Sequence, residues 1–92
     1  MAYTIPTYTT DTEIDVTNAF VMMNYLLYRA GTDKDRAIYR VYKRAAHYAA
    51  KPDKPIGVIT VLFDIAPAGI NFILQANAAL LLLPEMAGAV QV

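Results

Sequence analysis

Five side chains in the middle of the chain have the types and spacing to meet an anion together. Lys43, Arg40, Arg44 and His47 follow Arg36 at offsets of seven, four, eight and eleven residues. At 100° per residue of helix they fall within about 100° of arc, opposite an apolar set of Ile38, Val41, Tyr42, Ala45 and Ala49. The chemistry that such a stripe serves is contact with the phosphates of nucleic acid, with anionic lipid headgroups or with an acidic protein surface. Tyr39, near the edge of the basic face, is the aromatic best placed to stack on a base.

Few other groups could do chemistry. His47 is the only histidine, and it reads as a surface or packing residue of the basic face. Asp33 and Asp35 open the same predicted helix, where capping and the helix dipole account for both. Asp64 lies inside an apolar run, where a carboxylate has to be paired, protonated or placed at an interface; a salt bridge to a basic residue of the same or a neighbouring subunit is the expectation. The chain has no cysteine, which removes disulfides, thiolate metal sites and cysteine nucleophiles together. It also lacks a glycine-rich phosphate loop, metal-ligand spacing and a nucleophile elbow. The expectation is a protein without catalytic residues, metal, cofactor or small-molecule substrate.

The elements that must position these residues read as mainly α. Residues 1–12, rich in Thr and Tyr and holding Pro6, suggest an extended N-terminal arm that lies on a neighbour. Thr12, Glu13 and Asp15 resemble a capping box, and the apolar spacing that follows predicts a helix over about 13–30, apolar on most sides and closed by Gly31. Thr32 and Asp35 repeat the capping pattern ahead of a second helix over about 33–50, which completes a two-helix hairpin. Lys51 to Pro55 break it and form a short basic linker.

From Ile56 to Leu83 the chain carries no Lys or Arg. Three readings compete for this segment: a buried strand at about 57–65 followed by a helix from about 68 to 83; one apolar helix over about 56–83 kinked or broken at Pro67; or that same helix in a bilayer. The helical readings are preferred. Glu85 to Val92 is a tail of mostly small residues.

Composition sharpens what these elements are for. Ninety-two residues make one domain, 1–92, of a size that buries only about 60 to 65% of its unfolded surface. Charged residues are 17% of the chain, where about 25% is usual, although a small domain ought to be more polar than average. Other subunits or lipid must therefore cover part of the surface. Tyr3, Ile5 and Tyr8 on the arm, Phe20 on the first helix, and Phe72, Leu80 and Leu82 on the last are the residues expected at those contacts.

The formal net charge is zero, yet every Lys and Arg lies between Arg29 and Lys54, after an acidic start and before a nearly uncharged end. This sorting is similar in kind to that of the small coat proteins of filamentous phages, which place the apolar stretch in the middle and the basic one last. The leading expectation is a structural subunit that assembles with copies of itself into a filament, coat or shell, its basic face turned to nucleic acid or to an acidic partner. The alternative is a small membrane-embedded accessory subunit with 56–83 in the bilayer and Lys51 and Lys54 marking the cytoplasmic side. A small helix-turn-helix-like DNA-binding protein comes third, because Asp33 and Asp35 would face phosphates at the start of its reading helix. The opening residues MAYTIPTYTT lack the basic and apolar regions of a cleaved secretory signal, so the expected location is an assembled particle or filament, or a membrane.

Overall fold

In the computed structural model, which describes residues 2–27, 35–63 and 71–92, strands stand where the two central helices are expected. Strand β1 (Ala2–Thr9) is followed by β2 (Asp15–Leu27), β3 (Asp35–Tyr42), helix α1 (Ala45–Ala50), β4 (Gly57–Phe63), helix α2 (Phe72–Leu80), a 3₁₀ turn at Pro84–Met86 and the short β5 (Val90–Gln91). The strands form one sheet in the order β4-β3-β2-β1-β5, and every neighbouring pair is antiparallel. The protein is thus mainly antiparallel β and not mainly α.

Each correction has a local cause. The expected N-terminal arm is β1, held inside the sheet between β2 and β5. The Thr/Glu/Asp pattern read as a helix cap closes the β1–β2 turn instead. Glu13 N–H donates to the Thr10 carbonyl at 2.9 Å, Thr9 Oγ1 donates to Asp15 Oδ1 at 2.7 Å, and Glu13 takes a φ of 63°. The same short oxygens that cap helices also close turns.

Residues 15–27 read as apolar on most sides because β2 is covered on both faces for part of its length. Ala19 and Val21 point into the main core, whereas Phe20 points into a smaller cluster on the opposite face. A strand between two layers and a buried helix leave much the same apolar trace. In β3 the alternation is plain: Asp35, Ala37, Tyr39 and Val41 are buried, and Arg36, Ile38 and Arg40 between them are not. Of the readings for 56–83, strand followed by helix is the division that forms. Pro67 and Asp64 lie outside the described residues. Among the described residues no helix is long and apolar enough to cross a membrane. The nine residues of α2 reach only about 13 Å, against about 30 Å of hydrocarbon.

The main core lies on one face of the sheet. Tyr3, Ile5, Val21, Tyr39, Val41, Ile59 and Val61 meet Ala76 and Leu80 of α2 there, with Met86 beside them. The end of the β1–β2 hairpin curls onto the same core. Pairing passes from Ile5↔Ala19 to Thr7↔Thr17 across Pro6 and Asn18, whose φ is 52°. Beyond that break Tyr8 and Val16 also pack against the core. The Tyr8 ring reaches as far as Gly57, where a Cβ would stand 1.9 Å from the tyrosine hydroxyl oxygen. A second glycine is needed for its backbone: Gly88 has a φ of 76° and lies close against Pro6.

Candidate functional site

The opposite face of the sheet carries the basic residues, and its two ends differ. At one end α1 lies on the sheet and builds a small aromatic cluster. Tyr48 sits with its ring centroid 5.1 Å from that of Tyr42 and 5.6 Å from that of Phe20, and Ala2 and Met22 complete the contact. The loop after α1 is tied down at a single oxygen. The Pro52 carbonyl accepts from Arg40 Nη1 at 3.0 Å and from the Tyr42 hydroxyl. A shallow cavity of about 200 Å³ lies between these groups and Met22, Met23 and Asn24.

This geometry takes the expected anion stripe apart. Arg36 and Arg40 share a face in a strand as they would in a helix, since four is even for the pleat and close to one helical turn. In β3, however, they stand about 13 Å apart along the strand. Arg40 is engaged with Pro52. Lys43 and Arg44 precede α1 and border a cleft shared with Asp15 and Thr17. His47 accepts from the Lys43 N–H at Nδ1 at 3.2 Å and meets the Tyr42 ring edge-on. Tyr39, expected to stack on a base, is 1% exposed, with its hydroxyl donating to Asn77 Oδ1 at 2.6 Å. Burial, and after it the nearby Tyr3, pushes the Tyr39 hydroxyl well above its ordinary pKa.

The residues expected at subunit contacts divide in two. Tyr3, Ile5, Phe20 and Leu80 are buried inside the chain itself, and Tyr8 is half-buried against Gly57. Burial raises the Tyr8 hydroxyl pKa, with Asp11 and Glu85 adding to the effect. Phe72 is exposed, and Leu82 is 86% exposed. The polar residues of the apolar run have local work. Asn71 caps α2 by accepting from the N–H groups of Ile73 at 2.8 Å and Leu74 at 3.4 Å, and Asn77 takes the Tyr39 hydroxyl. Among the described residues no three His, Asp or Glu side chains converge on a metal position.

The far end of the open face is apolar, and the register builds it row by row. Leu27, Arg36 and Leu62 lie abreast across β2, β3 and β4; the next row is Tyr25, Ile38 and Thr60; and Val58 lies beside Arg40 in β4. The device that makes this patch is a bulge. Between Met23↔Tyr39 and Tyr25↔Ile38 the strand β2 holds one extra residue, Asn24. Met23 before it packs against the core, as does Leu26 after it, so Tyr25 and Leu27 are turned outward. Re-aiming a side chain is what a bulge does.

Tyr25, Leu27, Val58 and Leu62 are all exposed, and none was singled out from the sequence for this role. The signal was there in β4, GVITVLF, seven residues without a charge. A second exposed apolar group, Ile73, Leu74, Leu81 and Leu82, belongs to α2 and the turn after it, which cover the other face. Comparison with protein-family models, with curated proteins and with solved structures finds no match, so the role of the chain is read from these surfaces.

Proposed function

We propose that this protein is a non-enzymatic structural subunit that assembles with copies of itself into an extended particle, filament or shell. The observation that carries the reading is the pair of exposed apolar surfaces on opposite sides of one small sheet. One holds Tyr25, Leu27, Val58 and Leu62, and the other Ile73, Leu74, Leu81 and Leu82. Contiguous apolar surface beyond a few hundred Å² is uncommon on a monomer and marks contact with another molecule. A chain with a single such patch would be satisfied by one partner. Two patches facing apart let each subunit meet two neighbours, and contacts of that kind propagate into rings or open assemblies.

Arg36 sits between Leu27 and Leu62, in the middle of the first patch. Its guanidinium suits a carboxylate or a carbonyl on a neighbouring subunit, and planar, weakly hydrated Arg is favoured at interfaces for that reason. Lys43 and Arg44 before α1 remain exposed at the other end of this face.

Sedimentation velocity of the lipid-free protein tests the reading. Species far above the 10.2 kDa monomer that grow with concentration are expected. Leu27→Glu and Leu82→Glu, one on each surface, should each shorten the assembly, because each places a charge in a contact that has to be dry. A wild-type chain that stays monomeric from micromolar to millimolar concentration overturns the reading.

A further inference from the structure

We infer that β4 pairs with β4 of a second copy, antiparallel and about a two-fold axis at Thr60, so that two five-stranded sheets join into one. This rests on the self-assembly reading and names one of its contacts.

The two edges of the sheet are unlike. On the β1 side, β5 covers the start of the strand, and Pro6 removes a donor from the middle of it. Among the described residues strand β4 has no such guard and pairs only with β3. Over Gly57–Phe63 it contains no charge and no proline. Alternate residues of an antiparallel strand aim N–H and C=O away from their one partner, and an edge of this length invites another strand.

The occupant is a second copy because the strand is complementary to itself. A two-fold axis at Thr60 sets Thr60 opposite Thr60, Ile59 opposite Val61, Val58 opposite Leu62 and Gly57 opposite Phe63. Each pair is chemically compatible. Thr opposite Thr and branched opposite branched are favourable neighbours, and at the ends of the pairing Gly57, whose core side is already covered by its own Tyr8 ring, adds no side chain of its own opposite Phe63. Residues opposite each other also keep the same face, since every such pair joins odd to odd or even to even. Val58 and Leu62, 53% and 57% exposed, would therefore run into the same residues of the partner and extend the apolar patch across the junction. Ile59 and Val61 would continue the main core, and α2, which packs on β4, would lie on the same side of both sheets.

Disulfide trapping tests the register, since the chain has no cysteine of its own. Facing residues of an antiparallel pair have Cα atoms about 4.5 to 5.5 Å apart, within the span of a disulfide. Thr60→Cys should therefore give covalent dimers in high yield under mild oxidation. Val58→Cys and Leu62→Cys alone should give few, because each would be about 13 Å from its own copy along the strand. Together in one chain, Val58→Cys and Leu62→Cys should cross-link efficiently. The inference fails if Thr60→Cys stays reduced while the protein still assembles, a result that leaves the subunit reading intact. It fails equally if all three single variants cross-link alike, since the pairing then has no register. A monomeric wild type would instead remove the subunit reading itself.

Discussion

The Tyr39 hydroxyl donates to Asn77 Oδ1 at 2.6 Å, and this buried bond joins β3 to the helix α2 that covers the sheet. Residues 38 positions apart are fixed to one another by it. It also gives the buried tyrosine hydroxyl its acceptor and the Asn77 amide oxygen a donor, which offsets the cost of placing both in an apolar core. Tyr39→Phe removes the donor and keeps the ring. The expected cost is about 1 to 3 kcal/mol, read from urea unfolding as a lower midpoint at unchanged m-value. An unchanged midpoint would mean that the bond adds nothing to the attachment of α2.

The same residue predicts the alkaline behaviour of the fold. Burial raises the Tyr39 pKa above that of an exposed phenol, so the folded state holds this proton more tightly than the unfolded chain does. The stability it contributes is complete below the unfolded tyrosine value of about 10 and is lost as pH rises above that. One such proton weakens folding by up to about 1.4 kcal/mol per pH unit in that range. Unfolding midpoints between pH 9 and 11.5 should fall less steeply in Tyr39→Phe than in the wild type. Parallel curves would assign the alkaline loss to other groups.

Gly57 and Tyr8 make a second coupled pair. A Cβ at position 57 would stand 1.9 Å from the Tyr8 hydroxyl oxygen and 2.6 Å from the ring carbon that bears it. Gly57→Ala should therefore cost about 1 to 3 kcal/mol, the usual range for overpacking. In a Tyr8→Ala background the same change should cost far less, and the double-mutant cycle should show coupling of about 0.5 to 3 kcal/mol. Additive effects would mean that the hairpin end does not rest on β4.

Part of this structure was legible in the residues, and the illegible part has definite causes. Strand β4 could be read, as one of the alternatives for the segment after Lys54, from its β-branched residues Val58, Ile59, Thr60 and Val61. Arg36 and Arg40 misled because an offset of four places two residues on one side of a helix and of a strand alike. The neighbouring apolar positions decide between the two, and in β3 it is the odd-numbered Ala37, Tyr39 and Val41 that go inside. In β2 the bulge at Asn24 and the break at Asn18 interrupt the period of two. A strand of thirteen residues therefore lacks thirteen residues of alternation, and its apolar content looks helical. Thr12, Glu13 and Asp15 could not separate a helix start from a hairpin turn, because the same side chains serve both. The open apolar patch was hidden for a different reason: Leu27, Arg36 and Leu62 come together only through register, which no single segment reveals.

Electron microscopy of the purified, lipid-free protein tests most directly whether this chain is a subunit of something larger. The account predicts particles or filaments of regular width, built from contacts on both faces of the sheet. A field without ordered assemblies at concentrations where the protein remains in solution would contradict it.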